Sequence, residues 1–104
     1  MVKIELNTPL LNLEGTPLLD EKSQPILIGR VIANILASSP SADNADTVRL
    51  YDLATEIFRA DSYETTSDST LEFIEKYIDK AQQVPLIKAQ LLKAVKKARL
   101  NLAQ

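Results

Sequence analysis

The stretch NTPLLNLEGTPLLDEKSQPILIGR, at residues 7–30, contains one phrase twice. TPLLN at residues 8–12 returns eight residues later as TPLLD, and a looser echo, PIL, follows at residues 25–27. Gly15 separates the two close copies, and glycine adopts without steric strain the positive φ that a tight turn needs. The repeat therefore predicts that the chain folds back on itself here, before the helical part begins.

The structure that this repeat predicts is a small hairpin with arms at residues 10–13 and 16–19. A proline lies just before the first arm and at the second position of the other, and neither proline has an N–H to donate. Each arm is therefore expected at an edge or at the beginning of a strand. Residues 20–24 are polar and predict a second turn. The alternative is an ordered loop that its leucines hold in place, without paired arms.

Regular elements flank the repeat on both sides. VKIEL at residues 2–6 alternates apolar and charged residues, which predicts a half-buried strand with its three apolar side chains inward. Downstream, apolar residues recur at helical spacing. They predict four helices, at residues 28–37, 45–59, 69–82 and from 85 to near the C-terminus. The polar, β-branched segment at residues 63–67 leaves room for one more short strand.

Capping and breaking residues set the predicted helix limits. Pro40 ends the first helix, because proline disfavours the helical conformation in the residue before it. Asp43 or Ser41 is suited to cap the second helix. Ser69 and Glu72 have the spacing of a capping box, in which the hydroxyl accepts a backbone N–H and the carboxylate reaches back to the cap. Residues 38–44, between the first two helices, are the best candidate for a mobile loop.

These elements define a fold class of α+β, mainly α, with a short N-terminal β-hairpin region followed by about four helices. A chain of 104 residues supports a single domain, 1–104, and no linker divides it. We expect a β-rich region at residues 1–28 and a helical region at residues 29–104. Among the aromatic residues, Tyr63 lies in a polar segment and is expected to be exposed. The other four are expected to pack in or around the core.

The composition excludes several kinds of chemistry. The chain has no cysteine and no histidine, which removes thiolate and imidazole nucleophiles, bases and metal ligands together. Two glycines are too few for a phosphate-binding or dinucleotide-binding loop. Glu75 and Asp79 lie one helical turn apart, but interleaved lysines favour a mixed-charge outer face over a cation site. No catalytic, cofactor-binding or metal-binding residue is predicted, and we expect the protein not to be an enzyme.

The last predicted helix concentrates positive charge. Residues 85–104 hold five positive charges and no negative one, whereas the rest of the chain holds seven positive and fourteen negative. A solvated helix face is the ordinary explanation, and a contact face for a partner is the functional one. The residues predicted to bind a partner are four cations and two leucines off the main apolar stripe: Lys93, Lys96, Lys97, Arg99, Leu92 and Leu100. Burial of both leucines under the N-terminal hairpin is the alternative.

The order of landmarks resembles a group of small proteins encoded by tailed bacteriophages and prophages. The shared features are an alternating start, here VKIEL, and a PL..L.G.PL phrase at residues 9–18. A Leu-Gly-opened helix follows, here ILIGRVIANILA, then a helix with the pattern of LYDLATEI, a polar stretch and two closing helices. This chain departs from the usual form in its basic final helix. The group has no settled activity, so the resemblance carries over no functional residue. It implies a phage-type accessory protein that acts in the cytoplasm of the host.

These observations favour a non-enzymatic interaction protein, such as an assembly factor or a modulator of a host or phage protein. A protein partner or self-association is expected, with no cofactor. The alternative is a small nucleic-acid-binding regulator that uses the basic C-terminal helix. Nucleic acid is the less favoured partner because the net charge is −2 and no aromatic residue lies among the lysines to stack on bases. No apolar stretch is long enough for a membrane span and no signal peptide is evident, so a cytoplasmic location is expected.

Overall fold

A computed structural model describes residues 1–39 and 44–103. Within these residues the fold is α+β and mainly α, as the sequence predicted. Two strands and four helices follow one another along the described chain: β1 Val2–Glu5, α1 Ile28–Ser38, α2 Asn44–Arg59, β2 Ser62–Thr65, α3 Asp68–Lys80 and α4 Pro85–Leu102. α1 begins at Ile28, and β2 falls in the polar segment where the sequence left room for one more short strand.

The two strands join distant parts of the chain. β1 pairs antiparallel with β2, and Ile4 lies opposite Tyr63 in the register. Ile4 and Leu6 are buried and Val2 is half-buried, which confirms the inward set predicted for the first strand. The pairing continues one step beyond the strands, because the Leu6 N–H donates to the Asp61 carbonyl at 3.0 Å.

The repeated phrase folds into a closed ring of three arms at residues 8–28, which we call the three-arm ring. The Leu18 N–H donates to the Leu10 carbonyl at 2.8 Å, and the Ile26 N–H donates to the Leu18 carbonyl at 2.9 Å. The Leu10 N–H closes the circle by donating to the Ile26 carbonyl at 2.8 Å. The predicted hairpin is present as two of the arms. The loose echo PIL supplies the third arm, which pairs with both of the others.

The two turns between the arms use the same device. The Asn12 carboxamide oxygen accepts the N–H groups of Glu14 and Thr16, at 2.9 and 3.1 Å. Eight residues later the Asp20 carboxylate accepts those of Lys22 and Gln24, at 2.8 and 3.0 Å. Side-chain oxygens of Asn and Asp often hold turns in this way. The chemical repeat in the sequence is therefore a structural repeat, and the polar turn predicted at residues 20–24 is confirmed.

The base of the ring is joined tightly to α1. The Ile28 N–H donates to the Thr8 carbonyl at 2.9 Å, and the Gly29 N–H donates to the Leu6 carbonyl at 3.0 Å. A Cβ built on Gly29 would lie 2.6 Å from the Leu6 Cβ, so only glycine fits this approach without a shift of the backbone. Leu10, fully buried, anchors the ring in the core.

The start of α3 differs from the predicted one, whereas the start of α4 at Pro85 agrees with it. The cap of α3 is Ser67, whose hydroxyl oxygen accepts the Thr70 N–H at 3.2 Å, so the capping box predicted two residues later is wrong. The predicted caps of α2, Asp43 and Ser41, lie outside the described residues, as does most of the predicted mobile segment. α4 begins at Pro85, where a missing N–H leaves no helical hydrogen bond unmade.

The core lies between two layers. α1 packs on α2, α3 packs on α4, and β1 packs on α4. The exposure of three aromatic side chains differs from the prediction. Tyr63 is only 8% exposed, whereas Tyr51 and Phe58 are 67% and 53% exposed. Tyr63 faces inward because β2 pairs with β1, a contact that a polar local sequence does not reveal. Phe73 and Tyr77 are buried, as predicted.

Candidate functional site

The C-terminal helix rests on the rest of the domain through one apolar stripe. Leu91, Val95 and Ala98 are buried, and their spacing of four and three residues keeps them on one face of α4. Lys88 lies at the beginning of the helix and donates from Nζ to the Asp79 carbonyl at 2.6 Å. Carbonyls at a helix C-terminus attract cations, so Lys88 stabilises the end of α3. One of the five cations is thus used within the domain.

The three-arm ring also contacts α4. The Gln90 carboxamide binds both backbone groups of Leu11, because its oxygen accepts the N–H at 2.8 Å and its nitrogen donates to the carbonyl at 2.7 Å. Gln90 therefore pairs with the outer edge of one arm much as a neighbouring strand would. This contact fixes the position of the first half of α4 relative to the ring.

Arg99 holds the second half of α4 against α3. Its guanidinium donates to both carboxylate oxygens of Asp68, at 2.9 and 3.2 Å, and to one oxygen of Glu75 at 2.6 Å. Asp68 and Glu75 lie seven residues apart, which places them on the same face of α3 two turns from each other. A planar guanidinium with five donors can bind two carboxylates at once, whereas an ammonium lacks this geometry.

The ion pair shifts the titration of its members. The hydrogen bond from Arg99 lowers the pKa of the Asp68 carboxyl below its ordinary value. The hydrogen bonds to Asp68 and Glu75 raise the pKa of the Arg99 guanidinium in turn. Lys96 approaches Glu75 on the other side, with Nζ 3.8 Å from Oε1. Glu75 therefore lies between two cations of α4.

The six residues predicted to bind a partner consequently fall into two groups. Arg99 and Lys96 face α3 and its carboxylates, and Leu92 on the same side is half-buried against the core. Lys93 and Lys97 are exposed and form no ion pair in the described part of the chain. Leu100 is 68% exposed, so the N-terminal region does not cover it.

The second group forms a continuous exposed surface. Lys93, Lys97 and Leu100 are spaced by four and three residues and therefore share one face of α4. We call these three residues the outer face of α4. Beside it lies a groove of about 670 Å³, which Leu100, Leu102 and Arg99 line together with the carboxylates of α3. The arrangement offers an apolar surface next to two exposed ammonium groups.

The Arg99 ion pair is not evident from the sequence. There Glu75 stands out as one of a pair of carboxylates with Asp79, one turn apart, and nothing marks Asp68. The spacing of seven between Asp68 and Glu75 was available, but only the packing of α3 on α4 shows that a cation lies opposite both. Aligning the apolar stripes of the two helices could have suggested that pairing.

Among residues 1–39 and 44–103, no group of three or more acidic side chains is arranged to hold a metal ion. None of the helices described there has the length and hydropathy that crossing a membrane requires. Comparison of the chain with protein-family models, with curated protein sequences and with solved structures gives no match in any of the three.

Proposed function

We propose that this protein is a non-enzymatic interaction protein whose outer face of α4 binds an acidic protein surface. The observation that carries the proposal is the position of Leu100, which is 68% exposed at the rim of the groove and lies one turn from Lys97. Interfaces combine an apolar anchor with a polar rim, and a leucine beside two lysines supplies both elements. A phage-type accessory role, as the resemblance implies, is part of the same proposal.

The Arg99 ion pair supports the proposal by fixing the surface in advance. Arg99 and Gln90 tie the two halves of α4 to different parts of the domain, so the outer face does not have to be ordered when a partner binds. A pre-organised surface loses less conformational entropy on binding than a free helix would. Because Arg99 binds two carboxylates and Lys96 lies beside one of them, Lys93 and Lys97 are the cations of this helix half least engaged within the described residues.

This division of charge favours a protein partner over nucleic acid. Non-specific binding to duplex DNA needs several contacts between cations and phosphates. Each contact releases counterions and so adds to the affinity. The outer face of α4 offers two free cations at helical spacing, and its neighbour Leu100 is an apolar side chain. An acidic surface with an apolar pocket matches that set more closely than a phosphate backbone does.

The test is capture of proteins from a lysate of a bacterial host, with variants of the outer face of α4. Wild type is compared with the charge reversal Lys93→Glu/Lys97→Glu and with Leu100→Ser. The matched controls are Lys3→Glu/Lys22→Glu, which changes the net charge equally, and Leu13→Ser, which removes another exposed leucine. We expect one protein to be retained by wild type and by both controls and lost with both variants of the outer face.

Two results would overturn the proposal. Retention of the same proteins by all five forms would show that the outer face of α4 does not bind them. Retention that nuclease treatment abolishes, and that weakens steeply between about 50 and 200 mM salt, would indicate nucleic acid instead. Circular dichroism of each variant confirms that the helices are intact before capture is compared.

A further inference from the structure

The helix on the opposite side of the core carries an unexplained apolar surface. α2 buries Leu50, Leu53, Ala54 and Ile57 against the domain, which accounts for its amphipathic pattern. A second set of residues points outward with a spacing of three, four and three, and we call it the outer stripe: Val48, Tyr51, Thr55 and Phe58. Val48, Tyr51 and Phe58 are each more than half exposed.

The spacing of the outer stripe is that of a helix-pairing seam. Residues spaced by three and four in alternation form the a and d positions of a coiled coil, where two helices pack along their length. Thr55 fits this role although it is polar, because its hydroxyl is satisfied within the helix by donating to the Tyr51 carbonyl at 2.9 Å. A small side chain in the middle of the seam permits close approach of a second helix.

A groove runs beside the outer stripe. Its volume is about 320 Å³, and small side chains of α1, Ala33, Asn34 and Ala37, form one wall. Tyr51 and Phe58 project from the other wall, and the Arg30 guanidinium lies 5.5 Å from the centroid of the Phe58 ring. Projecting aromatic rings and a shallow groove therefore lie side by side on one surface, and a two-fold contact requires such self-complementarity.

Two oppositely charged residues flank the outer stripe. Asp52 and Arg59 follow the two aromatic residues by one position each, so they flank the same side of the seam. When α2 is aligned antiparallel to a copy of itself about Thr55, position 52 falls opposite position 58 and position 59 falls opposite position 51. Asp52 of each copy then lies beside Arg59 of the other. Both residues are exposed, and neither forms an ion pair in the described part of the chain.

From these observations we infer that a second copy of this chain docks on the outer stripe of α2, forming an antiparallel two-fold dimer centred on Thr55. The aromatic residues of each copy pack against those of the other over the small residues of α1. Two Asp52–Arg59 contacts, one at each end, fix the antiparallel register. The inference is independent of the proposed function, because α4 packs on α3 and β1 and its outer face stays accessible.

The first measurement is sedimentation equilibrium of the wild-type chain over a range of concentrations. We expect a monomer–dimer equilibrium with a dissociation constant below about 1 mM. Phe58→Ser removes apolar area from the seam, and Thr55→Arg places two like charges at the two-fold axis. Each should weaken the dimer by about tenfold or more, an energy of about 1.4 kcal/mol. Leu13→Ser is the matched control at an exposed leucine outside the stripe and should leave the equilibrium unchanged.

A charge exchange tests the register itself. Asp52→Arg puts two arginines together at each end, and Arg59→Asp puts two aspartates together, so each single variant should dimerise more weakly than wild type. The double variant Asp52→Arg/Arg59→Asp restores opposite charges and should recover the wild-type constant. Mixing the two single variants should give heterodimers in preference to either homodimer, since only the mixed pair has opposite charges at both ends.

Three outcomes would overturn the inference. The first is a wild-type chain that remains monomeric up to about 1 mM, which corresponds to negligible association. The second is a dimer whose constant is unaffected by Phe58→Ser, Thr55→Arg and the charge exchange. The third is a dimer that Lys93→Glu/Lys97→Glu or Leu100→Ser abolishes while the stripe variants leave it intact. In that case the contact lies on α4, and self-association replaces the acidic partner of the proposed function.

Discussion

The three-arm ring and the contact between α3 and α4 are held together by different kinds of interaction. In the ring, backbone N–H and carbonyl groups of three arms bind one another in a circle, and side-chain oxygens close two of the turns. Between α3 and α4 side chains make the contact: buried apolar groups, the Arg99 ion pair, and the Lys88 ammonium that donates to the Asp79 carbonyl. The three-arm ring therefore depends mainly on backbone atoms, and the contact between α3 and α4 depends on side chains.

This difference predicts which substitutions each region tolerates. A ring made of backbone hydrogen bonds depends on φ angles and on close approach of the chain, so it should be sensitive to glycine and proline positions. A contact made of side chains should tolerate changes in backbone preference but respond to the loss of a buried or paired group. Substitutions that change the backbone preference and substitutions that remove a side-chain contact should therefore affect the two regions differently.

The largest effect is expected at the base of the ring, with Gly29→Ala. The added Cβ would lie 2.6 Å from the Leu6 Cβ and 3.0 Å from the Leu6 carbonyl oxygen. Overpacking of this kind lowers the free energy of unfolding by about 1–3 kcal/mol. Alanine favours a helix over glycine by about 1 kcal/mol, which offsets part of the loss. Urea denaturation should therefore show a lower midpoint for Gly29→Ala.

Asn34→Ala is the matched control, because it places an alanine at an exposed position of the same helix. Its free energy of unfolding should stay within about 0.5 kcal/mol of the wild-type value. If Gly29→Ala were as stable as wild type or more stable, helix preference would outweigh the contact with Leu6. The close approach would then not be what holds the ring to α1.

A smaller effect is expected at the turn glycine, with Gly15→Ser. Gly15 has a φ of +87°, and no other group lies within 4 Å of the position that its Cβ would take. The cost is therefore one of backbone conformation alone, about 1 kcal/mol for a residue with a side chain in the left-handed region. Thermal unfolding should report a lower midpoint than wild type. An unchanged midpoint would mean that the turn can adopt another conformation.

Ser23 occupies in the second turn the position that Gly15 occupies in the first, so it allows the reverse substitution. Ser23 has a φ of +61° although it is not glycine. Ser23→Gly relieves that strain but gives the unfolded chain more freedom, so the gain should not exceed about 0.5 kcal/mol. Opposite signs for Gly15→Ser and Ser23→Gly would confirm that the two turns are conformational equivalents. A loss of stability with Ser23→Gly would contradict that equivalence.

The sequence predicted the parts of the ring that are local and missed the part that is not. Gly15 and the two TPLL phrases indicated a hairpin because a turn and its two arms are neighbours in the chain. The third arm, at PIL, is not preceded by a glycine or asparagine that would indicate a hairpin turn. Its hydrogen bond to Leu10 joins residues 16 positions apart and closes the ring only in three dimensions. Local patterns do not contain that information.

The candidate site shows the same limit. Helical spacing in residues 85–104 correctly predicted α4, its inward stripe and a cationic outer surface. It could not show that Asp68 and Glu75 occupy Arg99, because that depends on how α3 and α4 align. The exposure predicted for Tyr63 and Phe58 is wrong for a related reason. Tyr63 is covered through the pairing of β1 with β2, and Phe58 lies at the edge of the contact between α1 and α2.

The smallest effect is expected in the side-chain contact, at the exposed ion pair of Arg99 and Asp68, and it should depend on pH. The pKa of Asp68 is lowered in the folded protein, so its contribution to stability is present above the ordinary carboxyl pKa and is lost as the pH falls through the folded value. Arg99→Met removes the ion pair but keeps an apolar stem. The stability difference between wild type and Arg99→Met should therefore be largest near neutral pH and shrink below about pH 4. Lys97→Met, on the free side of the same helix, should differ from wild type by an amount that does not change over this range. If the wild-type and Arg99→Met curves stayed parallel down to pH 2, the ion pair would contribute nothing measurable, and apolar packing with the Lys88 hydrogen bond would hold α4 against α3.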